Sequence, residues 1–268
     1  NYLYVADGIA GLRIINIANP LSPSLAGAWY STGPAISVAA ASSRAYVMDE
    51  YAGLLILDVS SPAAPSLLGT YSGLTAGRGL ALNGNTAVIA DDNGKLSLIN
   101  VATPSAPTLS GSLNLGAFSG SIAATGSVAY VAAGDAGLLT INLAGPSVAH
   151  TNATADAALA VTLAGSSVTI ASSYAGVQTF DVSSPLAPSL QGTYPAGYRV
   201  SDVAVNGPLA YIAAGERGLQ IFSISNAAMP VALGSVLGIG NARSIGLSGG
   251  LAVVGDGIYG FDDEYGDR

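Results

Sequence analysis

Charged side chains that could bind a ligand are few in this sequence. Three of the seven arginines, Arg78, Arg199 and Arg243, occur where runs of small and apolar residues begin. A guanidinium group presents several N–H donors in one plane, which suits a carboxylate or a sulfate group. These residues are therefore predicted to bind a carboxylate, or an acidic or sulfated sugar. The competing interpretation is that each arginine pairs with a nearby acid such as Asp202.

Acidic residues concentrate at a second recurring place, between two strand-like runs of each repeat. Half of the sixteen acids are found there: Asp7, Asp49, Glu50, Asp91, Asp92, Asp135, Glu216 and Asp256. We predict that Asp49, Asp91, Asp135 and Glu216 belong to a partner-binding surface. The alternative is turn chemistry, because aspartate side chains often hydrogen-bond nearby backbone amides.

Two acidic stretches bear on the question of a metal. The run from Asp91 and Asp92 to Gly94 begins like a calcium loop but lacks the later bidentate glutamate. A second cluster, Asp262 and Asp263, lies in the acidic C-terminal tail, residues 258–268. A tight turn and a solvated tail are favoured, so no cofactor is predicted, with calcium as the alternative.

The residues that most enzyme mechanisms require are scarce. The chain has no cysteine, which excludes disulfides, thiolate metal sites and cysteine nucleophiles. His150 is the one histidine, so a histidine-based metal site is excluded as well. Close to it, Asn152 begins an Asn-Ala-Thr acceptor sequence and is a candidate for glycosylation. The sequence predicts that the protein is not an enzyme.

The candidate residues lie within an internal sequence repeat. A glycine followed by an alternating apolar run recurs every 39 to 43 residues. It is found at Gly11, Gly53, Gly94, Gly137, Gly176 and Gly218. Each period contains four strand-like runs, which we name A, B, C and D, separated by turn residues. Four short strands in about 40–45 residues are typical of a β-propeller blade.

The number of runs indicates the number of blades. There are six A, seven B, six C and six D runs, which favours an all-β, six-bladed propeller of four-stranded antiparallel blades in a single domain, residues 1–268. The first blade would take its A strand, Arg243–Leu247, from the C-terminal end, leaving one surplus B strand. Seven blades with incomplete terminal blades are the alternative. In either case the B–C and D–A connections share one face, which carries the predicted arginines and acids.

Two local structures follow from the same repeat. The glycine that opens each C strand is predicted to have a positive φ, as the close of a hairpin loop. An Asn or Asp at the end of strand C is predicted to hydrogen-bond the following turn. These residues are Asn16, Asp58, Asn100, Asn142 and Asp181.

Three segments carry a family resemblance. They are YVADGIAGLRIINIANPLSPSLAGAW, GLLILDVSSPAAPSLLGTY and GVQTFDVSSPLAPSLQGTY. In these segments, and over nearly the whole chain, the sequence resembles the LVIVD-repeat β-propellers. The resemblance implies a propeller, commonly in bacterial exported or surface proteins. It implies no single activity and supplies no catalytic residues.

Composition narrows the classes of partner. Half of the residues are hydrophobic, only 9% are charged and the net charge is −8. Without a Lys/Arg stripe, nucleic acid is not expected as a partner, and no apolar stretch is long enough to span a membrane. We expect a secreted or cell-surface module that binds a protein or a glycan, or that self-associates as a structural subunit. A propeller hydrolase or lyase with a site at the channel mouth is the alternative.

Overall fold

The predicted fold class is confirmed: the protein is an all-β, six-bladed propeller built of antiparallel sheets, five of which are complete with four strands. The computed structural model describes residues 1–74, 77–238 and 240–256. The first fifteen strands are β1 (Tyr2–Ala6), β2 (Leu12–Asn16), β3 (Ser24–Trp29), β4 (Ala35–Ala41), β5 (Arg44–Asp49), β6 (Gly53–Asp58), β7 (Ser66–Tyr71), β8 (Gly77–Asn83), β9 (Thr86–Asp91), β10 (Lys95–Asn100), β11 (Thr108–Asn114), β12 (Ser121–Thr125), β13 (Val128–Ala132), β14 (Leu138–Asn142) and β15 (Ser147–Asn152). The other ten are β16 (Ala160–Ala164), β17 (Ser167–Ser172), β18 (Gly176–Asp181), β19 (Ser189–Tyr194), β20 (Asp202–Asn206), β21 (Leu209–Ala213), β22 (Leu219–Ser223), β23 (Val231–Val236), β24 (Ala242–Ser248) and β25 (Leu251–Asp256).

The sheets follow the order of the repeat. Five sets of A, B, C and D strands form complete sheets: β4–β7, β8–β11, β12–β15, β16–β19 and β20–β23. Strands β1–β3 supply a B, a C and a D strand, and β24 and β25 supply an A and a B strand. Outside the complete sheets, the described strands therefore make one further set of four plus one surplus B strand.

The pairing predicted for Arg243–Leu247 is not the one observed. Strand β24 pairs with β25, from Ala242 opposite Asp256 to Ser248 opposite Leu251. The two strands are joined by only two residues, Gly249 and Gly250. Closing so short a loop costs far less chain entropy than recruiting a strand from the distant end of the chain.

The chain divides into two compact units, residues 1–134 with 139–151, and residues 135–138 with 152–268. In each unit the core lies between adjacent sheets. In the first unit, Ile56 of β6 packs with Ile89 and Ile99 of the next blade. In the second unit, Val177 packs with Ile212 and Phe222. The B and C strands are the most buried because they lie in the middle of each sheet.

The glycine that opens each C strand has the predicted positive φ. The angles are 74° at Gly11, 86° at Gly53, 73° at Gly94, 80° at Gly137, 92° at Gly176 and 68° at Gly218. Space is limiting as well, because a Cβ at Gly53 would overlap the backbone carbonyl oxygen of Tyr71. This position therefore needs glycine for two independent reasons.

The residue that ends each of five C strands forms the predicted Asx turn. Its side-chain Oδ1 accepts a hydrogen bond from the backbone N–H two residues later. The donors are Ala18 for Asn16 (2.9 Å), Ser60 for Asp58 (2.8 Å), Ala102 for Asn100 (2.9 Å), Ala144 for Asn142 (3.0 Å) and Ser183 for Asp181 (2.8 Å). These repeated side chains have a structural role.

A second repeated glycine, in strand D, makes room for the next blade. A Cβ at Gly27, Gly69 or Gly192 would overlap a backbone carbonyl oxygen in the C–D loop of the following repeat. For Gly69 that oxygen belongs to Pro104.

The described residues contain no helix long and apolar enough to cross a membrane.

Candidate functional site

In the second unit, B–C loops are hydrogen-bonded to the starts of the A strands of the following blades. Ser173 and Val200 form one isolated antiparallel bridge, and Gly215 and Ala242 form the equivalent one. Gly215 and Ala242 exchange two N–H···O bonds of 3.0 Å each. The bridges hold the neighbouring loop residues side by side, which builds a site from short local segments.

These segments enclose a pocket of about 300 Å³, which we name the arginine pocket. It is lined by Tyr174, Tyr198, Arg199, Ser201, Ala214, Gly215, Glu216, Arg217, Asn241 and Arg243. Three of the predicted site residues, Arg199, Glu216 and Arg243, are thus brought together. Three arginines oppose one glutamate here, although the whole chain carries a net charge of −8. The lining of the pocket is therefore positively charged, on a protein that is negatively charged overall.

Arg217 completes the pocket and was not predicted as a binding residue. Its guanidinium carbon lies 5.6 Å from the centre of the Tyr198 ring, within the range of a cation–π contact. Burial, together with the neighbouring Tyr194, raises the pKa of the Tyr198 hydroxyl, and Arg217 partly offsets this. The sequence signal for Arg217 was its place beside Glu216 in a B–C loop.

The backbone of the pocket is held by two further contacts. Asp256 Oδ1 accepts the backbone N–H of Asn241 at 2.8 Å, which fixes the chain just before Arg243. The backbone oxygen of Arg217 accepts a bond from Gln220 Nε2 at 2.7 Å. The arginines thus extend from a braced backbone.

The three arginines predicted as a set do not occupy equivalent positions. Arg78 and Arg243 each follow the first residue of an A strand, which pairs with the last residue of the B strand. Arg199 precedes Val200, the residue bridged to the B–C loop, so its equivalent is Asn241. Arg199 and Arg243 therefore reach the pocket from different registers.

For Arg78 the competing interpretation, a local ion pair, is the one the structure supports. Its Nε donates to Asp92 Oδ2 at 2.7 Å. Arg78 belongs to the first unit and does not line the arginine pocket. Arg78 therefore does not share a site with Arg199 and Arg243, and the structure does not support its predicted role in ligand binding.

Asp202, named as a partner for the arginines, instead binds backbone amides. Oδ1 accepts from Val203 and Oδ2 accepts from Ile245 of β24, both at 2.8 Å. Burial raises the pKa of the Asp202 carboxyl to about 6, and the two N–H donors offset only part of that rise. Asp202 thus joins β20 to β24.

Asp49 and Asp91 are buried and serve their own loops. Asp49 accepts backbone N–H groups from Gly33 (3.0 Å), Tyr51 (2.9 Å) and Ala52 (2.7 Å). Burial alone would raise the pKa of its carboxyl, but these bonds and Ser31 outweigh it, so the pKa lies below its usual value. Asp91 likewise accepts from Asn93 and Lys95. Turn chemistry accounts for both residues.

The remaining predicted site residues lie apart. Asp135 is exposed in its B–C loop. The side-chain nitrogen of Asn152 donates to the carbonyl of Pro188 at 3.1 Å. A glycan on that nitrogen would have to displace this bond, and glycosylation at Asn152 stays a prediction.

Residues 1–74, 77–238 and 240–256 contain no group of three His, Asp or Glu side chains that could hold a metal ion. Asp91 and Asp92 are engaged by backbone amides and by Arg78, respectively. Asp262 and Asp263, with the rest of the tail from residue 258, lie outside the described residues. The calcium alternative stays untested.

Comparison with known families identifies the repeat. The LVIVD repeat matches residues 1–31, 32–73, 76–114 and 197–238, more than half of the chain. The chain belongs to the LVIVD-repeat family. The match is regular over the first three repeats, and the repeat at 197–238 contains Arg199, Glu216 and Arg217 of the arginine pocket. A comparison with curated proteins found no match.

Solved structures share the fold at low sequence identity. A functionally unknown protein from Desulfotomaculum acetoxidans DSM 771 is 15% identical, with a TM-score of 0.77 over 94% of this chain and 85% of that one. A chain of the Mitotic Checkpoint Complex is 16% identical, with a TM-score of 0.77 over 96% and 81%. The computationally designed Ika8 protein is 12% identical, with a TM-score of 0.71 over 96% and 78%. Such likeness shows the fold alone.

Proposed function

We propose that this protein is a non-catalytic, secreted or cell-surface interaction module that binds a protein or glycan partner through the arginine pocket. The observation that carries the proposal is charge placement. Three of the eight basic residues of an acidic chain line one pocket of about 300 Å³. The cationic pocket attracts an anionic group. The negative charge of the protein as a whole disfavours unspecific association with other acidic surfaces.

The chemistry of the lining supports binding rather than turnover. Glu216 is the one carboxylate among the described lining residues, beside three guanidinium groups, and the nearby Asp256 accepts the backbone N–H of Asn241. General acid–base catalysis needs a donor and an acceptor poised near the working pH. The B–C acids Asp49 and Asp91 are already engaged by backbone amides. The lining therefore favours recognition of a charged group.

The test is a binding screen of the full chain against an array of glycans and surface proteins. A variant with Arg217→Gln and Arg243→Gln should lose the partner that the wild type retains. An Arg44→Gln variant is the matched control, because Arg44 begins strand β5 in the first unit and does not line the pocket. Equal binding by the pocket variant, or conversion of the retained partner into a product, would contradict the proposal.

A further inference from the structure

The arginine pocket combines features that select a particular kind of anion. Arg199, Arg217 and Arg243 supply planar groups with several donors each. A guanidinium fork matches the two oxygens of a carboxylate, which can accept two parallel N–H bonds. The charge of the pocket therefore matches at least one carboxylate.

The rest of the lining matches a ring that bears hydroxyl groups. Ser201 and Asn241 offer a hydroxyl and an amide, each of which can donate and accept hydrogen bonds. The Tyr174 side chain is 55% exposed and supplies an aromatic surface beside these polar groups. The volume, about 300 Å³, is at the lower end for small-molecule sites, so it suits one sugar unit.

Arg217 is pre-organised for this role. Its guanidinium lies against the Tyr198 ring at 5.6 Å, so less side-chain freedom remains to be lost when a ligand binds. A guanidinium that contacts a ring can still direct its N–H donors to a carboxylate. The bridge between Gly215 and Ala242 holds the two chain segments that carry Arg217 and Arg243 together.

We propose that the arginine pocket binds a uronic acid residue of an acidic glycan. The carboxylate would lie between the guanidinium groups of Arg217 and Arg243, and the sugar hydroxyls would face Ser201 and Asn241. This inference rests on the proposed binding function and names the class of ligand for that site.

Calorimetric titration of the full chain with trigalacturonic acid tests the inference. The comparison ligands are the same trisaccharide with its carboxyl groups reduced to alcohols, a sulfated neutral trisaccharide and an acidic peptide of equal charge. Trigalacturonic acid should bind, and the reduced trisaccharide should bind at least about 10-fold more weakly, because it lacks the charge-assisted hydrogen bonds. Tighter binding of the sulfated sugar or of the peptide would overturn the sugar assignment.

Variants separate the geometry of the pocket from simple charge. Arg217→Gln and Arg243→Gln should each weaken trigalacturonic acid binding by about 10-fold or more. Arg243→Lys should recover only part of the loss, because lysine keeps the charge but not the fork. Arg44→Gln should change the affinity by less than about 2-fold, and unchanged melting temperatures would show that the variants fold. Equal affinity of wild type and Arg243→Gln would overturn the inference. If the screen against glycans and surface proteins finds a different partner that binds through the arginine pocket, the ligand class proposed here is wrong and the proposed binding function stands.

Discussion

At the scale of single residues, buried and exposed acids in equivalent B–C loops have different roles. Asp49 is 1% exposed and accepts three backbone N–H groups, whereas Asp135 is exposed. Their places in the loop differ: Asp49 lies four residues before the glycine that opens strand C, and Asp135 lies two residues before it. Asp49 also accepts the N–H of Gly33 from the D–A connection, a contact that the sequence of the loop does not contain.

Replacing Asp49 by alanine should lower stability markedly. Three N–H groups would lose their acceptor, and the one from Gly33 lies in a buried place, where an unpaired N–H costs about 1–3 kcal/mol. We expect the free energy of unfolding of Asp49→Ala to fall by at least about 2 kcal/mol in urea denaturation. The control, Asp135→Ala, should stay within about 0.5 kcal/mol of wild type. Equal losses in both variants would contradict the assigned roles.

Asp202 should make stability depend on pH. Its pKa in the folded protein, about 6, is above the usual value of 3.8, so the folded state binds the proton more tightly. The contribution of this residue is therefore fully present below about pH 4 and is lost as the pH rises through 6. Relative to Asp202→Asn, the wild type should lose up to about 3 kcal/mol of unfolding free energy between pH 4 and pH 7. Parallel pH curves for the two proteins would show that Asp202 does not titrate in this range.

At the scale of strands and loops, glycine marks where one element touches the next. The glycine that opens strand C could be predicted, because its spacing and the following apolar run are visible in the sequence. The glycine in strand D could not be assigned a role, because its neighbour is a loop about 35 residues away in the chain. Gly69 and Pro104 show this distance directly.

The D-strand contact can be tested with a matched pair of glycines. A Cβ at Gly69 would overlap the Pro104 carbonyl oxygen, whereas a Cβ at Gly234 would meet no described atom within 4 Å. Gly69→Ala should therefore lower the free energy of unfolding by about 1–3 kcal/mol through overpacking. Gly234→Ala should change it by less than about 0.5 kcal/mol. A Gly69→Ala variant as stable as wild type would disprove close packing of the blades at this glycine.

The glycine that opens strand C can also be tested against a control glycine. At Gly53, φ is 86° and a Cβ would overlap the Tyr71 carbonyl oxygen. Gly53→Ala should cost at least about 1 kcal/mol, because alanine is strained at positive φ. Gly145 has neither a positive φ nor a described atom within 4 Å of its Cβ position, so Gly145→Ala should be nearly neutral. The comparison uses thermal unfolding of both variants.

At the scale of the whole molecule, the propeller and its strands followed from a repeat of about 42 residues. The predicted order of four strands per repeat, A to D, recurs in five complete sheets. The pocket was only partly predictable. Arg199 and Arg243 were identified, but Arg217 depends on its contact with Tyr198, and Arg78 is held by Asp92. Which arginines line the pocket depends on contacts between segments of the chain, and a repeat pattern does not contain those contacts.

Hydrogen–deuterium exchange of the full chain, with and without trigalacturonic acid, tests most directly whether the arginine pocket is the binding site. Backbone amides at 173–174, 198–201, 214–217 and 241–243 should exchange more slowly when the ligand is present. Amides in the C–D loops, such as 60–65 and 102–107, should be unaffected. Protection confined to the C–D loops, or no protection at saturating ligand, would contradict a binding function for the pocket.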